Sequence, residues 1–315
     1  MELRQLRYFL AVAEELNFTR AAARVGIAQP PLSMQISGLE RELGAALFTR
    51  TKRKVALTAA GEALVVHARR VINTTQQAAE IVRAIANGEE GSLSIGAIFS
   101  SIYTLVPDAL RSFTADHPTV DVRLQEMTVA QQILALHDGR IDLGIMRGPV
   151  SDPDLETAVL FSEPFVAAIP ADHPLARQAR VSPEEFASEP LISISPAANL
   201  NFSARMVGMF VERDQSLRIV QEVADMHTLL GLVGAGLGVS VVPASLQSIR
   251  INQVVYRPFT RRTPSTIMQL AWHKGSASQT LPAFVAAAHA AAEKGMAEMF
   301  AVQPEADEQA LDSGR

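Results

Sequence analysis

The chain has 315 residues, of which 48% are hydrophobic and 19% charged, with a formal net charge of −5. That length and apolar content fit two or three packed globular units, and no apolar run is long enough to span a bilayer, so no membrane partner is expected. The absence of cysteine excludes disulfides, thiolate nucleophiles and Cys-ligated zinc, and a reducing, cytoplasmic setting is the expectation.

The first segment, Met1 to Leu16, places Leu6, Phe9, Leu10, Ala13 and Leu16 on one helical face with charges throughout, unlike a secretory signal. A short helix follows from Thr19-Arg20-Ala21-Ala22-Ala23, whose small side chains let another helix cross closely. Gly26 breaks the pattern, and Pro30-Pro31 sit where a first helical turn tolerates missing N–H donors. The third helix buries Leu32, Ile36, Leu39 and Leu43, turns Ser33, Met34, Gln35 and Ser37 away, and ends at Gly44. Three short helices with a Gly turn define a helix-turn-helix candidate. Phe48 to Thr58 reads as two short strands with a basic tip, a wing.

Beyond Thr58, Leu64, Ala68, Val71, Thr75, Ala78, Val82 and Ile85 are spaced alternately by four and three, the pattern of a coiled-coil seam; the alternative is a helix packed on its own domain. Asn87 to Ser92 reads as a polar hinge. Short apolar strands then alternate with helices, at Leu93–Ile98, Val120–Met127, Leu143–Met146, Phe165–Pro170, Leu191–Ser195, Ile219–Val223, Val239–Val242, Val254–Pro258 and Ile267–Trp272. Such alternation predicts a largely parallel sheet covered by helices, in two lobes. From Glu293 the sequence drifts toward a tail expected to be disordered.

Charge separates the two ends. Residues 1 to 70 hold 11 Lys+Arg against 6 Asp+Glu, a net +5, and the remainder holds 17 against 27, a net −10. A basic head on an acidic body suits a DNA reader with an independent second domain. Gln29 and Gln35 at the start of the third helix can read base edges, Ser33 can serve a base or a phosphate, and Arg50, Lys52, Arg53 and Lys54 on the wing can neutralise phosphates. Taken singly, each of these is as readily a solvated surface group.

In the second half, the strand Leu93–Ile98 runs into Phe99-Ser100-Ser101 and an expected helix Ile102–Phe113, so a hydroxyl would cap a helix beyond a strand's carboxyl end. Glu126-Met127 leads likewise to Thr128-Val129-Ala130-Gln131, a capping-box pattern. Two such helix N-termini could converge on one anion, a carboxylate being the natural candidate; the plainer reading makes Ser100 and Thr128 ordinary caps.

Enzyme constellations are missing: there is no Gly-x-Ser-x-Gly, no phosphate-cradling loop and no His-Glu-x-x-His. Gly234, Gly236 and Gly238 fall between helix and strand, the reverse of a dinucleotide fingerprint, and the seven histidines lack metal-ligand spacing, so neither metal nor cofactor is expected. An exported solute-binding protein would have no use for a basic helix-turn-helix.

The segments Leu6-Arg7-Tyr8-Phe9, Asn17-Phe18-Thr19-Arg20-Ala21-Ala22, Gln29-Pro30-Pro31-Leu32-Ser33, Leu39-Glu40-Arg41-Glu42-Leu43-Gly44, Leu47-Phe48 and Leu57-Thr58-Ala59-Ala60-Gly61 together resemble the head of LysR-type transcriptional regulators. The resemblance implies an α/β protein with an N-terminal winged helix-turn-helix (residues 1–58), a long linker and dimerisation helix (59–88), and a two-lobed, periplasmic-binding-protein-like (type 2) effector domain (91–300). Lobe I would hold about 91–163 and 266–300, lobe II about 164–265, with 301–315 as the tail. It implies that Gln29, Pro30, Pro31 and Ser33 lie at the groove and Arg50 and Arg53 along the backbone; Arg4, Thr19, Arg20, Gln35 and Lys52 complete the DNA-binding set. It further implies that Phe99, Ser100, Ser101 and Thr128 line the cleft, with Arg147 as a cationic clamp and Asn201, Phe202 and His227 facing it from the second lobe.

Lys52 to Glu62, Ile145-Met146-Arg147 and Val254 to Pro258 are similar to regulators of phenylpropionate and hydroxycinnamate catabolism, and Asn201-Phe202-Ser203 and Val242-Pro243-Ala244-Ser245 to those answering to benzoate and muconate. Promoter DNA, a small aromatic or aromatic-derived carboxylate co-inducer, further copies of the chain as dimer and tetramer, and RNA polymerase are the implied partners. An alternative is a regulator sensing oxidant through its ten methionines, among which Met206 and Met209 stand at helical spacing.

Overall fold

Helix α1 (Leu3–Glu15) forms because Leu6, Phe9 and Val12 recur on one face and are buried there, while Glu2 and Gln5 close a capping box at its start. The structure is a computed structural model describing residues 1–50, 54–86, 91–211, 217–249, 251–276 and 278–301. By contact the chain divides after residue 88 into two units, with the short stretch Ala135–Arg140 clustering with the first.

In the first unit, Asn17 caps α2 (Phe18–Arg24), its Oδ1 accepting from the Thr19 and Arg20 N–H groups at 2.9 and 3.0 Å. Ala21 and Ala22 are buried, so the crossing helices approach closely. Helix α3 (Gln29–Leu43) starts on Pro30-Pro31, buries Leu32, Ile36 and Leu39, and stops at Gly44, whose φ of +67° needs no Cβ. Strands β1 (Phe48–Arg50) and β2 (Val55–Leu57) pair antiparallel as the wing, with Phe48 opposite Leu57. The Phe48 ring lies 5.4 Å from Phe9 and 5.8 Å from Phe18, so the wing is fastened to the helical core by aromatic contact. Lys52, Arg53 and residues 87–90 of the expected hinge lie outside the described residues.

Thr58 begins α4 (Ala59–Ala86): its hydroxyl donates to the Ala46 carbonyl at 2.7 Å and accepts the Gly61 N–H at 3.0 Å. A Cβ on Gly61 would lie 2.2 Å from the Leu47 carbonyl oxygen and 2.9 Å from Leu57 Cδ2. Gly61→Ala should therefore push α4 off the wing and destabilise the protein by about 1–3 kcal/mol, read as a lower urea midpoint.

The seam on α4 divides in two. Leu64, Val65, Ala68 and Ile72 pack on the core of the head, whereas Val71 and Val82 are 41% and 67% exposed and Thr75 and Ala78 are exposed as well. The first turns of this helix therefore pack on their own domain, and the later positions of the same spacing face solvent.

In the second unit, β3 (Gly91–Ala97) pairs in parallel with β4 (Val120–Glu126) and with β5 (Leu143–Gly148). The remaining pairings correct the expectation of a largely parallel sheet. β11 (Ser265–His273) runs antiparallel to both β5 and β6 (Leu155–Pro170), and β6 pairs antiparallel with β9 (Ser240–Pro243) and β10 (Val254–Arg257). The chain returns from the second lobe along the strand that left for it, which forces antiparallel pairing at the junction. β7 (Leu191–Ile194) and β8 (Ile219–Val223) form a short parallel pair. One apolar core gathers Leu93, Ile95, Phe113, Leu143 and Ile145 with Phe284, and a second gathers Phe165, Phe186, Ile192, Phe210, Leu230 and Val241.

Each of the nine expected strands has a counterpart, but three other readings change. Gly91 and Ser92, read as hinge, open β3. The helix expected over Ile102–Phe113 is two, α5 (Phe99–Thr104) and α6 (Val106–Asp116), because Pro107 has no N–H to continue the ladder. The segment from Glu293, read as the start of the tail, continues α11 (Leu281–Ala301), and residues 302–315 lie outside the described residues. Among the described residues, no helix is long and apolar enough to cross a membrane.

Candidate DNA interface and effector cavity

At the start of α3, Gln29, Pro30 and Pro31 are exposed, Met34 is 73% exposed, and Ser33 and Gln35 are half-buried beside them. Arg50 comes to this helix from the wing. Its Nη1 donates to Ser33 Oγ at 3.3 Å, its Nη2 to Glu40 Oε2 at 2.9 Å, and its guanidinium sits 4.5 Å over the Phe18 ring. Glu40 in turn accepts the Leu47 and Phe48 N–H groups at 2.9 and 3.2 Å. Arg50 thus pins the wing to α3, and of its five N–H donors these bonds use two. Glu40 carries this arrangement, and no periodicity singles it out in the sequence. Arg20 is paired with Glu15, by Nε to Oε2 at 3.2 Å and by Nη2 to the backbone oxygen at 2.6 Å. Arg4 and Thr19 are exposed.

In the second unit, a cavity of about 520 Å³ opens at the carboxyl ends of β3, β4 and β5, a size suited to a small organic molecule. Ile98, Phe99 and Ser100 line it after β3, and Met127, Thr128, Val129 and Gln131 after β4. Asn199 and Phe202 of α9 (Leu200–Val211) and its preceding turn form another wall, and Asp225 and Met226 at α10 (Met226–Gly234) a third.

The cap after β4 forms as its pattern suggests. The Thr128 N–H donates to Gln131 Oε1 at 2.8 Å and the Gln131 N–H to Thr128 Oγ1 at 3.3 Å, so α7 (Val129–His137) presents the free N–H groups of Val129 and Ala130 beside the cavity. The cap expected of Ser100 does not form. Ile98 occupies the N-cap, Ser100 lies buried inside α5, and six residues make too short a helix for a useful terminal dipole. Ser101 donates its hydroxyl to the Ile98 carbonyl at 2.8 Å instead. Thr128→Ala should cost about 0.5–2 kcal/mol of stability through the lost cap, measured by thermal unfolding.

Arg147 lines the cavity but is not a free cation. It is 4% exposed, its Nη1 lies 2.5 Å from Glu163 Oε1, and its Nη2 donates to Ser245 Oγ at 3.1 Å. Ser245 also donates both its hydroxyl, at 2.9 Å, and its N–H to Glu163. Glu163 went unnoticed in the sequence, and Ser245 stood there only within the Val242-Pro243-Ala244-Ser245 stretch; they lie 16 and 98 residues from Arg147.

Phe202 is buried with its ring 5.5 Å from Phe165, edge to face, and lines the cavity. Its neighbour Asn201 is exposed and donates to the Pro149 carbonyl at 2.6 Å; Asn199, unnoticed in the sequence, is the asparagine at the cavity. His227 stacks on Phe99 at 5.2 Å, with the rings 4° apart, outside the lining. Met206 is buried in the second core and Met209 packs partly buried against it.

A winged helix-turn-helix followed by a two-lobed domain holding an apolar cavity with a few polar groups defines the class of one-component, ligand-responsive transcription regulators. Residues 3–62 match the bacterial regulatory helix-turn-helix protein, lysR family, and residues 86–293 match the LysR substrate binding domain. The chain is 40% identical over 275 residues to the HTH-type transcriptional regulator YnfL of Escherichia coli, covering 87% of this chain and 93% of that protein. It is 36% identical to the Hca operon transcriptional activator HcaR of Escherichia coli, covering 91% and 96%. In structure it is similar to CbnR, a LysR family transcriptional regulator, with a TM-score of 0.73, 29% identity and coverage of 93% and 99%. The chain belongs to the LysR family: it is a DNA-binding transcriptional regulator with an effector-binding domain, not an enzyme.

Proposed function

We propose that this regulator answers to a small aromatic or aromatic-derived carboxylate bound between its two lobes. The observation that carries the reading is the cavity of about 520 Å³ in which the Phe99 and Phe202 rings meet the Ser100 hydroxyl and the amino end of α7. Apolar rings hold a flat ligand and the free N–H groups orient its anionic end. The likeness to HcaR, and to the HTH-type transcriptional regulator BenM of Acinetobacter baylyi at 36% identity over 260 residues, agrees with the sequence resemblance to aromatic-acid regulators.

DNA is read by α3 through Gln29, Ser33 and Gln35, with Arg50 bracing the wing. Lys52 and Arg53 act on phosphates in this reading. Dimers form through the exposed stripe of α4 and join as a tetramer in the cytoplasm, where the protein meets RNA polymerase; no metal or organic cofactor takes part. Ligand binding changes lobe closure, then the spacing of paired DNA heads, and so promoter bending rather than occupancy. Isothermal titration of the full-length protein with benzoate, muconate and hydroxycinnamates tests the ligand class. Saturable binding of at least one supports it, and no binding by any overturns it.

A further inference from the structure

Helix α3 carries its core stripe on Leu32, Ile36 and Leu39, and at about 100° per residue Met34 projects roughly opposite all three. At 73% it is the most exposed large hydrophobic side chain among the described residues. A lone exposed apolar group is ordinary on a protein surface, so exposure by itself decides nothing. Its place on the helix does.

The two flanks of α3 are occupied. On one the wing reaches in, with Arg50 donating to Ser33 and Glu40. On the other Gly38 faces α1, where a Cβ would meet Gln5 Nε2 at 3.8 Å. Between them the outward strip runs through Pro30, Met34, Ser37 and Arg41, each three or four residues from the next. Ser37 is half-buried, and Arg41 bends back along the strip, its Nε donating to the Ser37 carbonyl at 3.4 Å. Ser33 and Gln35, the chain neighbours of Met34, are half-buried as well. The middle of the outward face therefore offers a base an aliphatic chain and a weakly accepting thioether.

In the major groove the base edges present donors and acceptors, and the C5-methyl of thymine is the apolar group among them. A donor or acceptor pressed against Met34 would lose its water and gain no bond, whereas a methyl group gains from the same exclusion of water. Resting on the reading of α3 as the groove helix, we infer that Met34 is a specificity-determining residue that selects one thymine in each half-site through its C5-methyl group. The unbranched side chain has three rotatable bonds and a polarisable sulfur, so it can settle on that methyl without a rearrangement of the helix.

The test is selection by the full-length protein from a library of random-sequence duplexes, followed by replacement of each selected thymine in turn with deoxyuridine, which removes the methyl group alone. One thymine in each half-site should prove sensitive, its replacement weakening binding roughly 4-fold, the worth of one methyl group kept from water. Met34→Ala and Met34→Gln place good helix formers at an exposed site, so both should fold as the native protein does. Each should bind the thymine and deoxyuridine duplexes equally at that position, whereas Met34→Leu should keep the preference. Selection by Met34→Gln should exchange thymine for adenine there.

If no thymine is sensitive, or if the sensitive one stays so in Met34→Ala, the inference falls while the groove reading of α3 stands on the enriched sequence. If the native protein enriches no sequence at all, both fall.

Discussion

Glu163→Ala should destabilise the protein by about 3–5 kcal/mol, because it strands the Arg147 guanidinium, 4% exposed, among groups that cannot replace its partner. The loss exceeds the net worth of the pair, since an unpaired buried charge keeps its desolvation penalty without the attraction that offset it. The control is the double variant Arg147→Met/Glu163→Leu, which removes both charges and should recover most of that stability. Urea unfolding followed by circular dichroism reads both, and a single-variant loss below about 1 kcal/mol would mean that water reaches the pair and carries the charge. Ser245, which donates twice to Glu163, should show the next largest effect along this junction.

Phe9→Ala is expected to cost the head about 3–5 kcal/mol, the usual penalty for emptying an aromatic site in a core. Phe9 is fully buried and its ring touches Phe48 of the wing, which touches Phe18, over which Arg50 sits. Removing the first ring loosens the whole series, so the wing and α3 lose their shared alignment. Retention on promoter DNA should fall with the stability of the head, whereas calorimetric binding of an effector by the second unit should be unchanged. Because the two units have separate cores, a thermal scan should show an early transition moving down and a later one staying in place.

Local order was largely legible in the sequence. Helical spacing of Leu32, Ile36 and Leu39, the closing Gly44 and the Thr128/Gln131 box all express rules that act within a few residues, and the structure shows each of them. What the sequence concealed is contact between distant positions. Neither Glu40 beneath Arg50 nor Glu163 and Ser245 around Arg147 has a local signature, because an ion pair is chosen by the fold and not by spacing. The direction of the sheet was hidden for the same reason: a strand's apolar run shows that it is buried and leaves its partner's polarity open. Asn199 and Asn201 illustrate a finer limit, since two residues of shift at a helix start decide which amide meets the cavity and which holds the Pro149 carbonyl.

Strand β6 is 16 residues long, and its halves belong to different cores: Leu155 to Pro164 lies against β11, and Phe165 to Pro170 between β9 and β10. A single unbroken backbone therefore acts as a torsion bar through the ligand domain. The halves cannot part by simple separation, but they can rotate about that bar, and the register slip between Met268 and Gln269 gives the neighbouring strand a place to yield. Occupancy at one end would then be felt as twist at the other, and stiffening the bar should mute the response without weakening the grip on the ligand.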